Sequence, residues 1–122
     1  TGPVHAEERA RLADSEISVI TWSPLAGGFL TAARRPESAA DAETTRCYDS
    51  LQNRDRRDRS QQLATSRGCS PEQVAIAYVA TSPFRAHVVC AARSGLEAAA
   101  NLQATEMELT SEERQWLEDG DR

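Results

Sequence analysis

Two stretches of the chain order their residue types in a way that suits holding a ligand. In Val88-Val89-Cys90-Ala91-Ala92-Arg93-Ser94-Gly95-Leu96-Glu97, an apolar strand gives way to small residues and then to a helix start. The first N–H groups of a helix have no partner within it, and the helix dipole favours an anion beside them. Arg93, just before the capping Ser94, adds a planar guanidinium able to grip a phosphate through two hydrogen bonds. The chemistry implied is a phosphate cradle, although the same order also describes an ordinary helix start with a solvent-facing arginine. The second stretch is Trp22-Ser23-Pro24-Leu25-Ala26-Gly27-Gly28-Phe29-Leu30, where a strand ends in proline and paired glycines. Glycine there permits unusual dihedrals and close approach of the backbone to a ligand, and it equally permits a plain tight turn.

The remaining chemistry-bearing residues assemble into nothing comparable. The chain has no lysine, so chemistry that needs an ammonium group must come from outside these residues. Tyr78 reads as helix packing, His87 as a strand-edge residue, and His5 and Tyr48 as solvent-facing. Cys47, Cys69 and Cys90 show no paired spacing, and an odd number in so short a chain makes a poor disulfide framework. They read as small buried hydrophobes, and a reducing cytoplasm is the expected location. No catalytic residue and no metal-ligand set is assigned.

Composition narrows the function further. A chain of 122 residues suits one domain able to bury roughly two thirds of its unfolded surface. Aromatics make up only 5% of it, so the core should consist of small side chains and the stability should be marginal. A net charge of -5 excludes a general nucleic-acid or anionic-membrane surface. The mixed-sign run Arg54-Asp55-Arg56-Arg57-Asp58-Arg59 reads as a solvated helix face whose opposite charges lie three and four apart. No stretch approaches the ~20 apolar residues of a membrane span. The start, Thr1-Gly2-Pro3-Val4-His5, lacks the features of a signal peptide. Its lack of a methionine suggests a gene product that begins earlier or is processed.

The elements that would position the two stretches follow from local rules. A helix is expected over 6–13, then a strand over 17–22 that is apolar on both faces, as suits a parallel strand covered on each side. Residues 32–67 form a polar connection, irregular at first, with Arg34-Arg35-Pro36 as punctuation, and helical from about 49 to 66, with Gly68 as its stop. Ser70-Pro71-Glu72-Gln73 is a capping box with proline at the first helical position, opening a helix to about Thr81. A strand over 87–90 follows. Ser94 to Glu97 is a second capping box, for a helix to about Gln103. Thr110-Ser111-Glu112-Glu113 is a third, for a terminal helix carrying Trp116 and Leu117. The class is α/β.

Taken in order, these motifs resemble the aldo-keto reductase family. Residues 17–31 resemble its strand ending in an aromatic residue followed by Ser-Pro-Leu, a glycine and Leu-Thr. Ser70 to Val79 resembles the helix that follows its Gly-x-Ser-Pro-x-Gln start. Residues 88–102 resemble its last strand and cofactor loop, and Leu109-Thr110-Ser111-Glu112-Glu113 its closing Leu-Thr-x-Glu-Glu. The resemblance implies the C-terminal part of a (β/α)8 TIM barrel, incomplete in this chain and spanning residues 1–122 as a single partial domain. It also implies an NADP cofactor bound at the C-terminal strand ends, for carbonyl reduction by hydride transfer in the complete barrel.

On that carry-over Trp22 stacks on the nicotinamide ring. Ser23, Leu25 and Gly28 lie along the pyrophosphate, with Pro24, Gly27 and Leu30 completing that loop. Arg93 and Ser94 meet the adenosine ribose and its 2′-phosphate, Asn101 the adenine, and Ala91 and Glu97 complete the second loop. Cys90 and Ala91 stand where the family has proline and glycine, Glu97 where it has glutamine, and Ala100 where it has glutamate. The family's catalytic aspartate, tyrosine, lysine and histidine match nothing here, so the chain alone is expected to reduce nothing. Its expected partners are NADPH and either the N-terminal half of the barrel or a second copy. The alternative function is a non-catalytic, truncated interaction module that self-associates or pairs with another chain.

Overall fold

The computed structural model describes residues 3–32 and 39–120. Helix α1 (Pro3–Ala13) leads to strand β1 (Val19–Trp22), a 3-10 turn (Ala26–Gly28), α2 (Ala39–Tyr48) and α3 (Leu51–Arg67). Then come α4 (Pro71–Ala80), β2 (Ala86–Val89), α5 (Gly95–Thr105) and α6 (Ser111–Asp119). The expected Arg34-Arg35-Pro36 punctuation lies outside the described residues. The expected irregular stretch before residue 49 is corrected over 39–48, which is helix α2.

Local capping sets several of these boundaries. Ser70 Oγ accepts from Gln73 N at 3.2 Å while Gln73 Oε1 accepts from Ser70 N at 3.1 Å. Thr110 and Glu113 make the same reciprocal pair at 3.1 and 2.8 Å. Two otherwise orphaned donors are satisfied at each start. Gly68, with φ of 64°, takes the left-handed conformation that ends α3.

The sheet is two parallel strands in register, with Val19 opposite Ala86 and Trp22 opposite Val89. Thr21 Oγ1 adds a bond to the His87 carbonyl across the pair at 3.1 Å. Side chains alternate across a strand, and the two faces differ. Val19, Thr21, Ala86 and Val88 are half-buried on one face, while Ile20 (75% exposed), Trp22 (83%) and Val89 (54%) stand on the other. The expectation of a strand covered on both sides is therefore corrected. Helix α4 packs on β2, while the apolar residues Ile20, Trp22 and Val89 of the second face are bare.

The core lies between α3, α4 and α6, where Leu63, Ala64, Val74, Ala77, Leu109, Trp116 and Leu117 pack together. Four consecutive α4 residues, Val74 to Ala77, are buried, because α3, α5 and β2 enclose that helix from different sides. The alanines among them, with buried Ala104 of α5, let the helix axes approach closely. The expectation of a core of small side chains is corrected: among the described residues the buried alanines are outnumbered by Phe29, Leu63, Val74, Ile76, Leu109, Trp116 and Leu117.

The charged run of α3 is no independent solvated face. Arg56 Nε donates to the Glu118 carbonyl at 3.1 Å, and Arg59 Nη2 donates to the carbonyls of Leu117 and Glu118 at 3.1 and 3.2 Å. These arginines satisfy open carbonyls at the C-terminal end of α6, where the helix dipole favours a cation. Arg54 instead pairs with Asp49 at 2.5 Å. No described helix is long and apolar enough to cross a membrane.

Candidate functional site

The parallel register decides where the two ligand-suited stretches sit. Trp22 and Val89 are partners at the C-terminal ends of β1 and β2, so the loops that follow leave the sheet at the same end. This is the strand end at which open and closed α/β sheets hold ligands.

The first loop is a tight coil of left-handed residues. Ser23, Ala26, Gly27 and Gly28 have φ of 50°, 52°, 64° and 92°. For a non-glycine residue this region is disfavoured by about 1–2 kcal/mol, and such strain persists only where the surroundings over-determine it. Here the surroundings do. Gly28 N and Leu30 N both donate to the Leu25 carbonyl, at 3.0 and 3.2 Å. Thr44 Oγ1 of α2 donates to the Gly27 carbonyl at 3.2 Å. Phe29 is driven into the interior at 1% exposure. A Cβ on Gly27 would come within 3.1 Å of Thr44 Oγ1, whereas one on Gly28 would meet nothing within 4 Å. The loop is thus pinned at Gly27 and open at Gly28. Pro24, Leu25 and Leu30 are half-buried, while Trp22 and Ser23 are exposed.

The second loop is internally satisfied. Ser94 caps α5 by accepting from Glu97 N at 3.2 Å. The reciprocal bond expected of a full capping box goes elsewhere, since Glu97 Oε2 accepts from Arg93 N at 2.7 Å. The same oxygen lies 3.6 Å from Arg93 Nε, and the arginine side chain is 92% exposed. Asn101 Nδ2 donates to the Ala91 carbonyl at 3.3 Å. Two bonded sets therefore stand at the N-terminus of α5, one of Arg93, Ser94 and Glu97 and one of Ala91 and Asn101.

A polar cluster for which the sequence carries no signal lies on the helix-covered side. Tyr78 of α4 donates its hydroxyl to Glu118 Oε1 at 2.5 Å. Arg9 of α1 reaches both carboxylate oxygens of Glu118 at 3.3 and 3.2 Å and the Tyr78 hydroxyl at 3.2 Å. Arg114 lies over the Tyr78 ring, 4.4 Å from its centroid, and donates to the Tyr78 carbonyl and Thr81 Oγ1. Burial, then the bond to Glu118 and its charge, push the Tyr78 phenol up to about 12. Burial pushes the Glu118 carboxyl up, but bonds from Tyr78 and Arg9 and the charges of Arg9 and Arg114 outweigh it and hold it low.

This cluster borders a cavity of about 420 Å³. Trp22, Ser23, Pro24 and Leu30 reach the cavity from the first loop, whereas residues 90–101 do not line it. Tyr48, expected in solvent, is half-buried on its wall. His5 is exposed beside Glu8, and His87 is exposed on β2. Cys47, Cys69 and Cys90 are free thiols, and burial pushes that of Cys69 up. Among the described residues no group of three or more His, Cys, Asp or Glu side chains could hold a metal ion.

Comparison with known proteins finds one family model, that of the aldo/keto reductase family, matching residues 5–120. No curated protein matches the chain. A match over nearly the whole sequence, with the two glycine- and serine-bearing loops at one end of a parallel strand pair, leads to one assignment. The chain belongs to the aldo/keto reductase family, a family of oxidoreductases.

Proposed function

We propose that β1 and β2 are neighbouring strands of a (β/α)8 barrel and that their C-terminal ends hold a nicotinamide dinucleotide for carbonyl reduction. The observation that carries this reading is the register, which brings Ser23–Gly28 and Ala91–Ser94 out at the same end of the sheet. The bare face bearing Ile20, Trp22, His87 and Val89 then turns toward the barrel interior, and the helices lie outside.

The first loop fits its share of such a ligand. Gly28 leaves open space where a side chain would stand, so the backbone can come up to a pyrophosphate. Trp22 presents an indole at the strand end for stacking on a flat ring. The second loop fits less well, because the Glu97 carboxylate occupies the start of α5. When bound, the dinucleotide supplies a hydride for a carbonyl carbon. What these residues do is bind and orient. Tyr78 is unsuited to donate a proton, because its hydroxyl is already bonded to Glu118 and is harder to ionise than a free phenol.

Calorimetric titration of the purified protein with NADH and with NADPH tests the reading. Saturable binding of at least one is expected. Trp22→Ala, at a side chain the fold leaves uncovered, should weaken that binding roughly tenfold with unfolding unchanged. No saturable heat with either dinucleotide sinks the proposal.

The bare apolar face favours a second reading, an interaction module whose sheet is covered by another chain. Absent dinucleotide heat together with a dimeric sedimentation profile would favour it.

A further inference from the structure

We infer that Glu97 sets the dinucleotide preference of this protein, selecting NADH over the 2′-phosphorylated NADPH. The inference rests on the reading that the two loops hold a dinucleotide, and it departs from the phosphate role that the family resemblance gives to Arg93.

Three observations carry it. The backbone N–H of Arg93 is the donor that precedes the α5 cap, and it is already bonded to Glu97 Oε2 at 2.7 Å. A phosphate there would have to displace a carboxylate. The guanidinium of Arg93 has the same oxygen 3.6 Å from its Nε, so an anion drawn to this arginine also meets a carboxylate four residues on. The other arginine near this stretch, Arg85, lies at the opposite end of β2 and pairs with Glu16 at 2.7 Å. Sequence supplies no lysine to replace it.

The carboxylate is also held in place. Its own residue donates N–H to Ser94 Oγ, and Glu97 lies in the first turn of α5, where the helix dipole favours an anion. A 2′-phosphate brought to this position meets a fixed like charge. The hydroxyls of an unphosphorylated ribose meet an acceptor instead, which is the general way an acidic residue selects NAD over NADP. Glu97 thus attracts one ligand and repels the other.

Binding of NADH and NADPH, followed by the emission of the reduced nicotinamide ring, tests this in the native protein and in Glu97→Gln. The glutamine oxygen can still accept from Arg93 N, so the turn is retained, and matching circular dichroism spectra would verify that. The native protein is expected to bind NADH roughly tenfold tighter than NADPH. In Glu97→Gln the two should come within about threefold, chiefly because NADPH binds better. NADPH binding as tight as NADH in the native protein, or a ratio unchanged by the substitution, overturns the inference and leaves the dinucleotide site standing. Failure of both ligands to bind either protein overturns the site itself, and the inference with it.

Discussion

Phe29→Ala is expected to lower the unfolding free energy by about 3–5 kcal/mol and to cost more dinucleotide binding than an equally disruptive change elsewhere. Phe29 is among the largest fully buried side chains. It also follows directly on the run of left-handed residues, its own N–H closing the turn on the Ala26 carbonyl at 3.1 Å. The ring is therefore the peg that holds a strained loop against the body. Ser23 and Ala26 would each relax to ordinary dihedrals if the peg were removed, so some of the lost packing energy is returned as relieved strain. That relaxation should cost the loop its shape. Leu63→Ala provides the comparison, because Leu63 is buried in α3 within the core cluster. Urea unfolding should show both variants destabilised, while dinucleotide affinity of the folded protein falls only in Phe29→Ala. Equal affinities in the two variants would mean that the loop's shape does not depend on its anchor.

Glu118→Ala is expected to cost about 2–3 kcal/mol, the scale of losing hydrogen bonds to a charged group that is largely withdrawn from water. One carboxylate ties three helices, accepting from Arg9 of α1 and Tyr78 of α4 while belonging to α6. The same cluster contributes to both edges of the stability profile against pH. The Glu118 carboxyl is held below its ordinary range, so its contribution is present above the unfolded carboxylate pKa and is lost as pH falls through the folded value. Glu113 adds to this edge, its carboxyl lowered chiefly by the bond from Arg67. Tyr78 moves the other way. Its phenol is pushed up to about 12, so its contribution is present below the ordinary tyrosine range and is lost as pH rises through that value. Stability should be level between roughly pH 5 and 8.5, falling on each side, with the raised Cys69 thiol opening the alkaline fall and Tyr78 extending it. Tyr78→Phe should shrink the alkaline fall without abolishing it, because the Cys69 thiol, pushed up by burial, remains, and should keep much of the acid one. Glu118→Gln should shrink the acid fall without abolishing it, because Glu113 remains. An unchanged alkaline edge in Tyr78→Phe would show that the phenol is not what titrates there.

What could be read in the sequence follows from how local each determinant is. Ser70 with Gln73, Thr110 with Glu113, and Gly68 act within one turn of helix, and each appears where spacing alone puts it. The pairing of β1 with β2 agrees with the family resemblance, and its parallel register puts the two loops at the same end of the sheet. Other features depend on what lies across the fold. Arg56 and Arg59 look like members of a self-neutralising helix face until α6 presents its open carbonyls to them. Arg9 and Glu118 stand 109 residues apart, and nothing near either one announces the other. Glu97 is an intermediate case. Its distance from Arg93 permits an ion pair and its distance from Ser94 permits a capping bond, and only the backbone path of residues 91–94 decides that Arg93 N receives the carboxylate. Which face of β1 is covered was illegible for the same reason, since alternation places Ile20 and Trp22 together without saying what lies above them.

The most direct test of the shared site is the amide spectrum of isotopically labelled protein during titration with NADH. Shifts are expected together in residues 23–30 and 91–97 and at the Trp22 indole, saturating with a single affinity. Shifts confined to one loop, or centred on Tyr78, Arg114 and Leu117 around the cavity, would contradict the claim that the two strand ends hold one dinucleotide between them.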